Sequence, residues 1–315
     1  VTDSPKPTVV VSEPLNESSL KFLSEHARVI RTQVDRLHEV IEQADALVVR
    51  TYTQVDADLL SRAPRLKVVG RAGVAYENID VPACRSRGIA VVHTPAASTE
   101  AVVDYTIAHI ILMNRRFYTL DGYVEPERFH EIRKQSFGRF LAGLTLGIVG
   151  AGRIGSRVGK AAVGLGMNVL YNDIRHIELD YPARSVEKDE LYASSDIVTI
   201  HVPLTSKTKH MINADSLGRF KQGAQFINAA RGPCVDYHAL AEALRSGRLS
   251  AATIDCHDPE PPPPDYPLWN APNVILNPHS AARVPQAMEN MCLVVHDVVA
   301  VLQGKTPRYP VQEEQ

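Results

Sequence analysis

The chain has 315 residues, enough for one large or two medium domains with cores of their own. Its 34 basic and 36 acidic residues leave a net charge of -2, without the excess that binds nucleic acid or an anionic membrane. Four scattered cysteines (Cys84, Cys234, Cys256, Cys292) and no apolar window of about 18 residues argue against a disulfide framework and a membrane span, and point to a soluble cytoplasmic protein.

In chain order, the β-branched runs PTVVVSE, ALVVRT, LKVVGRAG and IAVVHT read as buried parallel strands. Amphipathic stretches such as NESSLKFLSEH and DADLLSRAP separate them, which predicts βα units and a first doubly wound sheet. A long helix follows Ser98, a plausible N-cap, with Ala101, Tyr105, Ala108 and Leu112 on one face. Ile110 and Ile111 broaden its apolar stripe nearly all round, so it is expected to be buried between domains or in a subunit interface. The polar segment EPERFHEIRKQSFGRF then leads to six more strand candidates: LTLGIVG, MNVLYND, DIVTIHV, AQFINAA, AATIDC and NVILNPH. Pro285 to Leu302 reads as a closing helix.

Gly150, Gly152 and Gly155 form a G-x-G-x-x-G between a strand and a helix. That pattern gives a tight turn, close approach of backbone to a pyrophosphate and close helix–strand packing, with the helix N-terminus facing the phosphates. Asp173 closes the next strand about 20 residues on, where a carboxylate can take ribose hydroxyls and repel a 2'-phosphate. NAD is the expected cofactor, although Arg175 lies close enough to meet a phosphate.

Arg231, Glu260 and His279 each follow a core strand, and ligands of such sheets bind beyond the strands' carboxyl ends. Hydride transfer to a 2-keto acid needs a proton donor, which His279 supplies. A carboxylate at Glu260 would favour the protonated ring and fix its orientation. Arg231 can hold a carboxylate and polarise a carbonyl. His201, His210, His257 and His279 lack metal-ligand spacing, so no metal is expected.

The ordered motifs VVGRAGVAYENID, HTPAAST, LTLGIVGAGRIG, HVPLTSKTKHMIN, INAARGPCVD, DCHDPEPP and NPHSA make the chain similar to the D-2-hydroxyacid dehydrogenase family, in its phosphoglycerate-dehydrogenase-like branch. The resemblance implies an α/β fold of two Rossmann-like doubly wound parallel-sheet domains, the cofactor domain (98–283) inserted into the substrate domain (1–97 plus 284–315). It implies Arg231, Glu260 and His279 as catalytic residues. It places Arg153, Ile154, His201, Pro203 and Asp255 at the cofactor, the last near the nicotinamide carboxamide. Arg50, Arg71 and the backbone of Ala72, Gly73, Val74 and Ala75 would meet the substrate. The helix after Ser98 would form a homodimer, and no regulatory domain is expected after the closing helix. Candidate substrates are 3-phosphoglycerate, glycerate with hydroxypyruvate, and glyoxylate. The chain departs from the family at Ala75, which stands for a glycine, and at His257, which stands for the phenylalanine of D-V-F. A second reading is an NAD(H)-sensing corepressor-like scaffold with a vestigial site.

Overall fold

The computed structural model describes residues 6–115 and 117–312. The chain divides into two compact units, Val1–Ser98 with Arg283–Gln315, and Thr99–Ala282. In the first lie strands β1 (Thr8–Val11), β2 (Arg28–Arg31), β3 (Ala46–Val49), β4 (Val68–Arg71) and β5 (Ala90–His93), with helices α1 (Glu17–His26), α2 (Ala57–Ser61) and α3 (Val81–Ser86). They form a parallel sheet in the order β2-β1-β3-β4-β5.

The central strands are apolar without interruption because both faces of the sheet are covered. Val10, Leu47, Val49 and Val69 pack on one side; Val9, Val11, Val48 and Val68 pack on the other. This is the alternation that a pleated strand imposes. Asn16 and Asp56 cap α1 and α2 by accepting from the amides of Ser19 and Leu59.

The second unit opens with α4 (Thr99–Asn114) and α5 (Pro126–Gln135). Then come β6 (Thr145–Val149), α6 (Arg153–Gly164), β7 (Asn168–Asn172), β8 (Arg184–Ser185), α7 (Lys188–Ser194), β9 (Ile197–Ile200), α8 (Ala214–Arg219), β10 (Ala224–Asn228), α9 (Tyr237–Arg245), β11 (Leu249–Ile254) and β12 (Val274–Leu276). Its seven strands are parallel, in the order β12-β11-β10-β9-β6-β7-β8. The chain runs outward from β6 one way and returns through β9 the other, so the switch point lies between β6 and β9. All ten strands read from the sequence are present. β2 and β8, which carry no continuous apolar run, are additional.

Three local expectations change. The closing helix is two, α10 (Pro285–Cys292) and α11 (Val294–Leu302), because the Leu293 amide bonds to Asn290 and Met291 in a tightened turn. α4 buries Thr99, Ala101, Val102, Val103, Thr106, Ile110 and Asn114, so Ala101 of the expected face is inside while Ala108 and Leu112 face outward. Its near-uniform hydrophobicity hides that direction from a helical-period reading. The polar segment after it holds α5, none of whose residues is buried.

Candidate active site

At the switch point, Gly150 adopts φ +92°, and a Cβ there would sit 2.7 Å from the carbonyl oxygen of His201 after β9. A side chain at Gly155 would strike the Gly150 carbonyl, which lets α6 close on the turn. Gly152 caps α6, and a Cβ there would meet only Arg175 Nη2 at 4.0 Å. The missing side chain therefore leaves open space before the first-turn amides of a twelve-residue helix.

Arg153 opens that helix and is exposed, whereas Ile154 is half-buried. Asp173 Oδ2 accepts from the Ala151 amide at 2.9 Å and Oδ1 from the Arg175 amide at 2.9 Å, which fixes the carboxylate beside the glycine turn. His201 sets Nε2 3.1 Å from Thr199 Oγ1 and has a buried Nδ1 without a partner among the described residues; burial pushes its pKa down to about 4. The ring is thus neutral across the physiological range. Pro203 is exposed and its carbonyl accepts from Thr208 Oγ1 at 2.7 Å. The open cradle at Gly152, the amide row and the fixed carboxylate fit a dinucleotide. Asp173→Ala is accordingly expected to raise the KM for NADH about tenfold and to improve the use of NADPH, as a loss of roughly 1.4 kcal/mol would. An unchanged ratio of the two KM values would remove Asp173 from this role.

At the ends of β10, β11 and β12 the structure gathers the predicted acid–base residues. Asn228, fully buried, accepts from the Ala230 amide at 3.0 Å and donates to the Arg231 carbonyl at 3.0 Å, which shapes the loop carrying Arg231. The Arg231 guanidinium donates to the Ala230 carbonyl at 2.7 Å. A side chain at Gly232 would strike the His257 backbone, so this loop packs directly on the segment leading to Glu260. Glu260 Oε1 stands 2.7 Å from His279 Nδ1, with both side chains partly open to solvent.

His279 itself has φ +50°, a left-handed conformation that costs a non-glycine residue on the order of 1–2 kcal/mol. Its amide bonds to the carbonyls of Asp255 at 2.8 Å and Asn277 at 3.0 Å. The next two amides, of Ser280 and Ala281, bond to the Asp255 carboxylate at 2.8 and 2.9 Å. The resemblance puts Asp255 beside the nicotinamide carboxamide; its carboxylate is buried and engaged from both oxygens beneath the His279 turn.

The sequence did not single out Asn277, whose amide donates to Tyr105 Oη at 2.8 Å and lies 3.2 Å from His109 Nε2, both on α4. Burial and the neighbouring Asp255 carboxylate push the Tyr105 hydroxyl well above its ordinary pKa, so it stays protonated. His109 is a structural partner in this network.

The first unit carries the other predicted residues. The amides of Ala72 and Gly73 are taken by the carbonyls of Val49 and Arg71, each at 2.8 Å. The amides of Val74 and Ala75 make no hydrogen bond among the described residues. Arg71 is buried: Nη1 donates to the Ala72 carbonyl at 2.8 Å and Nε to Asn78 at 3.3 Å. Arg50 donates to the Pro14 carbonyl at 3.2 Å and lies 3.5 Å from Met288 Sδ. Tyr76 turns its ring edge-on to His93, 5.3 Å between centroids. The loop 50–53 is built round Glu13, whose carboxylate accepts the amides of Arg50, Thr51, Tyr52 and Thr53 and the Thr53 hydroxyl at 2.8–3.2 Å.

Residues 107–281 match the D-isomer specific 2-hydroxyacid dehydrogenase NAD-binding domain. The chain is 35% identical over 311 residues to the D-3-phosphoglycerate dehydrogenase of Archaeoglobus fulgidus, covering 96% of this chain but only 59% of that relative's length. It is 35% identical over 323 residues to the glyoxylate reductase of Thermofilum pendens, covering 98% of this chain and 95% of the relative. Among solved structures, the TT0316 protein of Thermus thermophilus superposes with a TM-score of 0.85 at 35% identity, covering 97% of this chain and all of that one. With a glycine turn and a His–Glu pair on the same parallel sheet, the chain belongs to the D-isomer specific 2-hydroxyacid dehydrogenase family, and the domain matched is its NAD-binding one.

Proposed function

We propose that the protein interconverts a small D-2-hydroxy acid and its 2-keto acid, with His279 as proton donor in reduction and acceptor in oxidation. The 2.7 Å contact between His279 Nδ1 and Glu260 carries this reading. With Nδ1 held on the carboxylate, Nε2 is the nitrogen that exchanges a proton with the substrate oxygen. Bound NADH supplies the hydride to the carbonyl carbon. Arg231 polarises that carbonyl and holds the substrate carboxylate. In the first unit, the amides of Val74 and Ala75 offer a cradle for a carboxylate.

The preferred substrates are unphosphorylated. Arg71 is buried and bonded to Ala72 and Asn78, so a phosphate would have to displace those bonds. Glyoxylate and hydroxypyruvate should therefore be reduced with kcat/KM at least tenfold above 3-phosphohydroxypyruvate, with pyruvate as the fourth compound in the panel. A phosphate preference would overturn the substrate assignment. Silence on all four with NADH bound would overturn the reaction.

The protein is a homodimer in this reading. Phe117, Tyr118, Leu120, Tyr123, Phe137 and Phe140 are exposed around α5, and Leu112 is exposed on α4. Exposed apolar side chains gathered this closely along the chain support an interaction surface there. No helix among the described residues is long and apolar enough to cross a membrane, and a second copy is the cover this reading assigns.

A further inference from the structure

We infer that His257 is a positioning residue for the His279–Glu260 pair, a role that rests on the reaction proposed above. His257 is buried, three residues before Glu260 in the chain. Its Nε2 lies 2.8 Å from the Asn277 carbonyl, which can only accept, so Nε2 carries the proton. Nδ1 lies 3.0 Å from the Tyr266 hydroxyl, which can pair with it as donor or acceptor. The same Asn277 carbonyl takes the His279 amide at 3.0 Å and closes the turn that holds His279 at positive φ. The His257 backbone amide lies 3.5 Å from Glu260 Oε2, on the other side. One residue thus braces the turn under the histidine and faces the carboxylate that orients it.

The brace is itself fixed from behind. Tyr266 is buried and packs edge-on against His257, ring centroids 5.5 Å apart. Trp269 meets Tyr266 edge-on, at an interplanar angle of 69°, and donates to the Pro263 carbonyl at 2.8 Å, which closes the proline-rich segment after Glu260 into a loop. A phenylalanine at 257 would fill the space and keep the ring contact, but would leave the Asn277 carbonyl and the Tyr266 hydroxyl each short of a bond. A positioning loss falls on the geometry of proton transfer rather than on binding.

The test uses His257→Phe and His257→Gln in the full chain, Gln keeping a donor that can reach Asn277. For the Phe variant, kcat should fall about fivefold to thirtyfold while KM for NADH and for the keto acid stay within twofold; the Gln variant should recover to within threefold of wild type. Equal losses in both variants, or a Phe variant with unchanged kcat, would overturn the role. A second readout does not depend on turnover: in protein with ring-labelled histidine, the His279 cross-peak, identified with His279→Gln, should move in the Phe variant and stay in the Gln variant. An unmoved cross-peak overturns the inference. A moved cross-peak in a protein silent on every keto acid would uphold the positioning and sink the reaction instead. Should the Phe variant not fold, Tyr266→Phe removes only the hydroxyl facing Nδ1 and carries the same expectations: lower kcat, unmoved KM and a shifted cross-peak.

Discussion

Replacing His279 with alanine should cut kcat for keto-acid reduction by a factor of about 10² to 10⁴, the range that a positioned general acid contributes. The substituted position keeps its backbone bonds to Asp255 and Asn277 and the two bonds from Asp255 to Ser280 and Ala281. The turn therefore survives, with alanine somewhat less suited than histidine to the left-handed φ that the wild type already holds. NADH affinity should stay within about threefold, because the glycine turn and Asp173 stand at β6 and β7, away from this strand end. His279→Asn separates the two effects, since asparagine tolerates the left-handed conformation better; it should restore stability and leave turnover as low as alanine does. The measurement is steady-state NADH oxidation beside fluorescence titration of NADH. A fully active alanine variant would mean that another group moves the proton.

The largest stability effect is expected at Glu13. Burial alone would push its pKa up, but the amides of Tyr52, Arg50 and Thr53 and the Thr53 hydroxyl outweigh that and hold it below the ordinary carboxylate value. Glu13→Ala leaves that row of donors facing an empty corner, a loss of roughly 3–4 kcal/mol when buried groups lose a charged acceptor. For a unit of this size that lowers the first thermal transition by about 6–16 °C.

The pH dependence has a definite sign. A carboxylate with a depressed folded-state pKa contributes stability above its unfolded value, near 4.5, and that contribution drains away as the pH falls through the folded value. Glu13→Gln keeps an acceptor but cannot titrate. The wild type should therefore lose stability below about pH 4.5 more steeply than the Gln variant. Parallel curves through that range would show that Glu13 takes no part in the acid limb. Urea unfolding monitored at several pH values decides it.

Much of the fold could be read because buried parallel strands announce themselves as short apolar runs, as β1, β3, β4 and the six core strands of the second unit do. β2 could not, since its sequence RVIR offers only two apolar residues between exposed arginines. The direction of α4 was illegible for the opposite reason: apolar residues occupy all its sides. Glu260 and His279 were legible because each follows a strand and the sheet brings strand ends together. Asn277, Tyr266 and the role of His257 were not, because their partners are 9–20 residues away or farther in sequence and meet only once the fold exists. Arg71 shows what a charge in a sequence leaves open: its burial and its bonds to the Ala72 carbonyl and Asn78 appear only in the fold.

One consequence follows from α5, whose ten residues all lie on the surface. A helix this short that buries none of its residues has little packing to offset the entropy of ordering it, and in water it would be marginal alone. If its partner is a second subunit, the order of this segment is governed by mass action. Dilution would melt it before either sheet is touched, and amide exchange there would quicken with falling protein concentration. The protein would then carry a built-in gauge of its own abundance in a helix that buries none of its residues.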